Sequence, residues 1–378
     1  MNTGQLVARV LDPGWLSEQA GRPVRAARLR IKPRTSLVVG LDDTAGHPAG
    51  WLRFLWPISH NKATRTSREA GELGVETSEH ELGELLVQTG PLPADPKLLT
   101  RIAAATASGK LGSWEASQVL RYNPLRRVVV RDGMRVVRVA TSRDRGVAFD
   151  RFIAGVVETP LRLDDGTLDG VSVHAFTGDL DLADLLDGNP PGVDRDPVHG
   201  TSEPVRAAGA MLARLHAAEV PGDLARSLAA RTADPVAQGL AHAALLDELA
   251  PDLAERMRRV AAELPGVASA MPVLSHGDLS PDQVLTTHDG DTVWLTDFDR
   301  ACLAPRAVDL GSFLAVLDDA AFLDGYRDGG GQVPPEDQLR RAVAASLILR
   351  AADPLRRACR DWKQQVSANL DRIREVAT

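Results

Sequence analysis

Four side chains in this sequence, His276, Asp278, Gln283 and Asp297, have the types and spacing of a phosphoryl-transfer centre. Asp278 stands in Val273-Leu274-Ser275-His276-Gly277-Asp278-Leu279, Gln283 follows five residues later, and Asp297 comes next in Trp294-Leu295-Thr296-Asp297-Phe298-Asp299. Phosphoryl transfer needs little covalent help, but it needs the acceptor hydroxyl aligned and the phosphate charge neutralised. A carboxylate on a loop that leaves a strand, Asp278, is suited to taking the hydroxyl proton. Gln283 and Asp297 offer oxygens to Mg2+, a hard cation that prefers oxygen ligands at about 2.1 Å. Asp299 is either a further metal or water ligand or a solvated surface carboxylate. Either fragment alone would be a weak signal, and the pair is specific.

In order and spacing these residues resemble the general kinase pattern, with a histidine two residues before the catalytic aspartate. The words around them resemble the aminoglycoside phosphotransferase and choline kinase superfamily of small-molecule kinases, with the maltokinase-like sugar kinases as nearest rival. The resemblance is specific over residues 273–315, moderate over 121–186 and absent before 91. It implies that Asp278 is catalytic, that Gln283, Asp297 and Asp299 hold Mg2+, and that ATP or GTP is the phosphate donor. It implies a supporting role for His276, and for Asp309 a bracing of the catalytic loop through backbone hydrogen bonds. Ala175-Phe176-Thr177-Gly178-Asp179-Leu180 resembles the family hinge, which makes Ala175 and Phe176 nucleotide contacts. Arg138 stands where the family has its phosphate-binding lysine, with Asp150, or alternatively Glu158, as its ion-pair partner; arginine can grip phosphate bidentately but is not interchangeable with lysine. Most of the superfamily has asparagine where Gln283 stands, whereas maltokinases resemble this chain there. The nucleotide loop, Tyr122-Asn123-Pro124-Leu125-Arg126-Arg127, lacks glycines; Arg126 and Arg127 either compensate by charge or are exposed strand-edge arginines. His216 resembles a structural residue of a family helix.

Positioning these groups requires a strand before Asp278 and a hairpin between the two fragments. Upstream, the sequence repeats itself: Leu29-Arg30-Ile31-Lys32-Pro33 then Leu37-Val38-Val39 matches Leu120-Arg121-Tyr122-Asn123-Pro124 then Val128-Val129-Val130. Each copy leads into a second β-rich run, and both read as hairpins, with chance as the alternative. Residues 89–96 are proline-rich and read as a linker or long loop. A helix is predicted over 142–157 and a strand over 171–176. Helices then dominate, including 205–218, with Ala208, Met211, Leu212 and Leu215 on one face. A closing helix over about 355–376 places Leu355, Cys359, Trp362, Val366, Leu370 and Ile373 at steps of three or four. Loops at 187–192 and 329–335 carry turn chemistry alone. The fold class is α+β: a bilobal protein-kinase-like fold with a β-rich N-lobe over 111–178, a helical C-lobe over 179–378 and an additional N-terminal cap-like α/β unit over 1–100.

Composition narrows the function classes. Charged residues at 25% and hydrophobic ones at 44% describe an ordinary globular protein, and no apolar run approaches the ~20 residues of a membrane span. The first residues lack a basic stretch followed by an apolar one, so no secretory signal is expected and a cytoplasmic location fits. A net charge of −7 disfavours nucleic acid as partner and is weakly compatible with a cationic substrate. Cys302 and Cys359, the only cysteines, read as reduced thiols. Ser108-Gly109-Lys110 fails as a phosphate loop because Leu111 stands where Ser or Thr is needed. Only 11 residues lie between Asp297 and Asp309, too few for the activation segment of a protein kinase. The expected activity is transfer of the γ-phosphate of ATP or GTP to a hydroxyl of a sugar, aminosugar or aminoglycoside-like compound. A nucleotide-binding pseudokinase without turnover is the alternative.

Overall fold

The structure, a computed structural model, describes residues 1–114, 117–186, 202–228, 233–264, 266 and 271–377. The first half is built from two antiparallel sheets. β1 (Arg25–Lys32), β2 (Ser36–Asp42), β3 (Pro48–Leu55), β4 (Ser78–Leu82) and β5 (Leu85–Gly90) form one in the order β1-β2-β3-β5-β4. β6 (Gln118–Asn123), β7 (Arg127–Asp132), β8 (Arg135–Ala140) and β9 (Val171–Ala175) form the other in sequential order. The remaining strands are short: β10 (Leu180–Asp181), β11 (Pro272–Ser275), β12 (Val284–Thr286), β13 (Val293–Leu295) and β14 (Cys302–Pro305), set among helices. A β-rich N-terminal part thus precedes a helical C-terminal part.

The sequence repeat is a structural repeat. In the first copy Arg30, Ile31 and Lys32 pair with Val38, Leu37 and Ser36; in the second Arg121, Tyr122 and Asn123 pair with Val129, Val128 and Arg127, the same register. Both turns place the residue after the proline in the left-handed region, Arg34 at φ 51° and Leu125 at φ 60°. Few non-glycine residues adopt that conformation, so its recurrence argues for a common turn design. Each copy is a three-stranded meander, β1-β2-β3 and β6-β7-β8.

Alternation along β3 explains how the first sheet is buried on both faces. Leu52 and Phe54 join Leu6 and Val10 in a core that continues into Leu246, Met257, Ile348 and Trp362 of the C-terminal helices. Trp51, on the other face, joins Leu92, Leu98 and Ile102 against Val128, Val130, Val137 and Val139 of the second sheet. The N-terminal sheet therefore contacts both lobes.

Three sequence expectations change. Residues 89–96 are a packed joint instead of a linker: Asp95 is fully buried and accepts hydrogen bonds from Tyr122 Oη at 2.7 Å and Leu125 N at 2.8 Å. The helix expected over 142–157 spans Val147–Ala154, because Gly146 before it takes φ 86°. The closing helix is broken: left-handed Ala358 separates the turn Asp353–Arg356 from the helix Trp362–Ala377. Trp362, Val366, Leu370 and Ile373 are still buried on one face. The strand at Val171–Ala175 and the helix Ser202–Ala217 form as expected, whereas the loop at 187–192 lies outside the described residues. No described helix is long and apolar enough to cross a membrane.

Candidate active site

β11, paired with β14, delivers the chain to His276-Gly277-Asp278. Gly277 adopts φ 81°, and a Cβ there would stand 2.2 Å from the carbonyl oxygen of Arg300, so the loop closes on its neighbour only because the residue is glycine. Asp309, fully buried on the helix Ala307–Leu314, fixes the same loop. Its Oδ2 accepts the His276 N–H at 2.7 Å and its Oδ1 the Gly277 N–H at 2.7 Å. His216 Nε2 donates to Oδ2 at 3.1 Å, and its Nδ1 accepts from Tyr326 Oη at 2.8 Å. Burial pushes the Asp309 carboxyl up, but His216 and the backbone donors outweigh it and hold the group below the usual carboxylate range. His276 is buried, and its Nε2 donates to the Thr296 carbonyl at 2.8 Å, tying the loop to the second fragment.

The second fragment is carried by the β12–β13 hairpin. Gln283, 7% exposed, ends the 3-10 turn Pro281–Gln283, and its carbonyl accepts the Thr296 N–H at 3.0 Å. Its side-chain amide has no partner among the described residues. Asp297 sits in the left-handed region at φ 63° and ψ 50°, one of few non-glycine residues among those described that do. Such strain at a polar residue often marks a functional position. Arg127 grips its carboxylate with both terminal nitrogens, Nη1 to Oδ1 at 2.9 Å and Nη2 to Oδ2 at 2.7 Å. Burial raises the Asp297 carboxyl, yet Arg127 draws it below the ordinary value.

Asp278, Gln283, Asp297 and Asp299 line one cavity of about 390 Å³, together with Arg126, Arg127 and Arg138. A cleft of about 400 Å³ adjoins it between the second sheet and the β12–β13 hairpin, lined by Val129, Val136, Ala175, Phe176, Leu285 and Leu295. There the Arg131 guanidinium lies 3.8 Å over the Phe176 ring. A third cavity, of about 980 Å³, opens on Asp278 from the other side. The sequence candidates therefore converge, with one pairing corrected: Arg138 hydrogen-bonds Asp299, while Asp150 pairs with Arg162 at 2.6 Å and Glu158 with Arg214. Two residues that escaped the sequence reading contact Asp278: Arg350 Nη2, 2.9 Å from Oδ1, and Arg300 Nε, 3.6 Å from Oδ2. Arg350 lies 72 positions from it and belongs to no motif, so only the fold brings it to the site, whereas Arg300 directly follows the word that ends at Asp299.

The donor set suits a hard cation: two carboxylates and the Gln283 amide, which has no partner among the described residues, all line one polar cavity. Guanidinium groups neutralise both carboxylates in this structure, so a metal would enter in exchange for them.

The profile of the phosphotransferase enzyme family matches residues 106–344. The chain belongs to that family of small-molecule phosphotransferases. The fold agrees: a choline/ethanolamine kinase family protein from Mesorhizobium loti superposes with a TM-score of 0.51 at 17% identity, over 74% of this chain and 93% of that one. An APH(2") enzyme bound to GDP and kanamycin gives 0.51 at 17% identity, over 73% and 99%. No curated protein sequence matches this chain.

Proposed function

We propose that this protein transfers the γ-phosphate of ATP or GTP to a hydroxyl of a sugar, aminosugar or aminoglycoside-like molecule. The observation that carries the reading is the convergence of Asp278, Gln283, Asp297 and Asp299 on one cavity between a nucleotide-sized cleft and a larger cavity. The base would lie against Ala175 and Phe176, with Arg138 and Arg127 on the phosphates. Asp297, Asp299 and Gln283 would hold Mg2+, which when bound neutralises charge on the triphosphate. The acceptor oxygen attacks the γ-phosphorus as the bond to the β–γ bridging oxygen breaks, and the hydroxyl proton passes to Asp278. The products are a phosphate ester and a nucleoside diphosphate. Arg350 and Arg300 orient Asp278 toward the larger cavity, and Asp309 and His276 fix its loop.

A magnesium-dependent nucleotide-consumption assay over sugars, aminosugars and aminoglycosides tests the proposal. Asp278→Asn should keep nucleotide affinity and lower turnover by about 10²-fold or more, because it removes the proton acceptor and spares the phosphate contacts. Undiminished turnover in this variant would remove Asp278 from the reaction, and nucleotide binding without turnover on any acceptor would favour the pseudokinase reading.

A further inference from the structure

Among the described residues, the cavity of about 980 Å³ is lined by seven basic side chains and three carboxylates, in a chain whose net charge is −7. A positive cavity in an acidic protein concentrates anions and repels cations. The contributors are not equivalent. Arg300 and Arg350 are engaged with Asp278, and Arg356 is engaged with Asp353 and His242, each at 3.2 Å. Arg28, Arg30 and Arg126 have no side-chain partner among the described residues, and Nη1 of Arg30 is buried without one. Arg28, Arg30 and Lys32 alternate along β1 and so share one face of the sheet. Burial lowers the pKa of Arg28, and Arg121 and Arg357 lower it further, outweighing the opposing carboxylates of Asp353 and Asp282; burial, then Arg30, Arg356 and Arg300, lower that of Arg126. Like charges crowded in a partly dry cavity are costly unless an anion completes them.

Nucleotide phosphates are served by a neighbouring set. Arg127 and Arg138 lie beside Asp297 and Asp299, whereas Arg28 lines the large cavity and neither of the others, and Arg30 stands at the border, lining both the large cavity and that of Asp297 and Asp299. Arg28, Arg30 and Lys32 also fall outside residues 106–344, so the positive face is supplied by a part of the chain that the family match does not include.

We propose that the phosphoryl acceptor is an anionic polyol, bearing a phosphate or carboxylate that Arg28 and Arg30 bind while its hydroxyl faces Asp278. This rests on the transfer reading above, and it selects acidic sugars over cationic aminoglycosides.

Titration calorimetry on the full chain, loaded with magnesium and a non-hydrolysable nucleotide, tests it with glucose 6-phosphate, gluconate, glucose, kanamycin and inorganic phosphate. The sugar phosphate or the sugar acid should bind about tenfold or more tighter than glucose, since a charge-assisted bidentate contact contributes at least that much, and kanamycin should not bind. The phosphate and carboxylate arms tell which anion fits. Arg28→Ala, and Arg28→Gln if the alanine variant fails to fold, should abolish that preference without changing nucleotide affinity. Glucose or kanamycin binding as tightly as the anionic sugars, or an Arg28 variant that keeps the preference, overturns the inference. Turnover is read in parallel: anion-selective binding with no phosphate transfer refutes the transfer reading, whereas preferred transfer to a neutral or cationic acceptor refutes this one.

Discussion

Asp309→Asn separates the support of the catalytic loop from its chemistry. The two backbone donors of residues 276 and 277 each meet a different carboxylate oxygen at 2.7 Å. An amide of the same shape has one oxygen, so its NH2 must face either the Gly277 N–H or both the His276 N–H and His216. At least one hydrogen bond to a charged group is lost, and one buried N–H is left without a partner. Those effects cost about 1.5–3 and about 1–3 kcal/mol, so a loss of about 3 kcal/mol in unfolding free energy is expected after partial relaxation. Because Asp278 directly follows Gly277, loop displacement should also lower turnover by about 10²-fold, roughly 2.7 kcal/mol in activation free energy. The pH dependence has a definite sign. A carboxyl held below its ordinary range in the folded protein contributes stability above the unfolded pKa of about 3.9, lost as pH falls through the lower folded value. Denaturant titrations of wild type and variant should therefore differ by a constant amount from about pH 8 to about pH 5, and converge only in stronger acid. A variant within about 0.5 kcal/mol of wild type at neutral pH would show that Asp309 does not brace the loop.

Asp297→Ala should raise the dissociation constant of the magnesium–nucleotide complex at least about tenfold and leave nucleoside affinity unchanged, measured by calorimetry with and without the metal. Equal affinity with magnesium present would remove Asp297 from the metal site. At the mouth of the cleft, burial first, then Asp184 and Asp282, push Asp181 up to about 6. Its ionisation therefore costs stability progressively as pH rises from about 4 through about 6. The amide retains the acceptor for the Asp184 N–H at 2.9 Å, so Asp181→Asn should stabilise the protein by about 1 kcal/mol above pH 6, after discounting for solvent screening, and by nothing near about pH 4. Thermal denaturation at the two pH values decides it, and a pH-independent difference would count against the ionisation argument.

What could be read from the sequence depended on how local the determinant was. Asp278, Gln283, Asp297, Asp299 and Asp309 stand in short words whose spacing already implies one loop, one hairpin and one helix, and the structure brings the first four to one cavity. The repeat was legible because apolar alternation and a proline turn recur in order, and the same register follows. The partner of Arg138 was not legible: residues 150, 158 and 299 all offer carboxylates, and only the fold, which sets β8 across the cleft from the segment after β13, selects Asp299. Nor was the joint at 89–96, where proline suggests exposure but Asp95 is held by Tyr122 and Leu125, more than 25 positions away. A left-handed alanine at 358 has no sequence signal, so the helix break there was invisible.

Arginines of the second sheet, Arg138 among them where a lysine was expected, tie the two lobes together. Arg127 and Arg138, on β7 and β8, reach across to Asp297 and Asp299 after β13, and Arg121 on β6 reaches Asp282 at 3.3 Å. Three neighbouring strands thus clamp the hairpin that carries the metal-type donors. A cation at those carboxylates would displace guanidinium from them, and a triphosphate would offer the freed arginines new partners. Binding of metal and phosphate would then be an exchange of ion pairs, each ligand neutralising what the other releases. Neither alone completes the exchange: a metal without phosphate strands two arginines, and phosphate without a metal strands two carboxylates. Unpaired charges in a partly dry cleft are costly, so the two ligands should bind with positive coupling. A lysine with one point charge could not grip Asp297 with two parallel bonds as Arg127 does, which gives the arginine-rich meander a physical role beyond substitution for a missing residue.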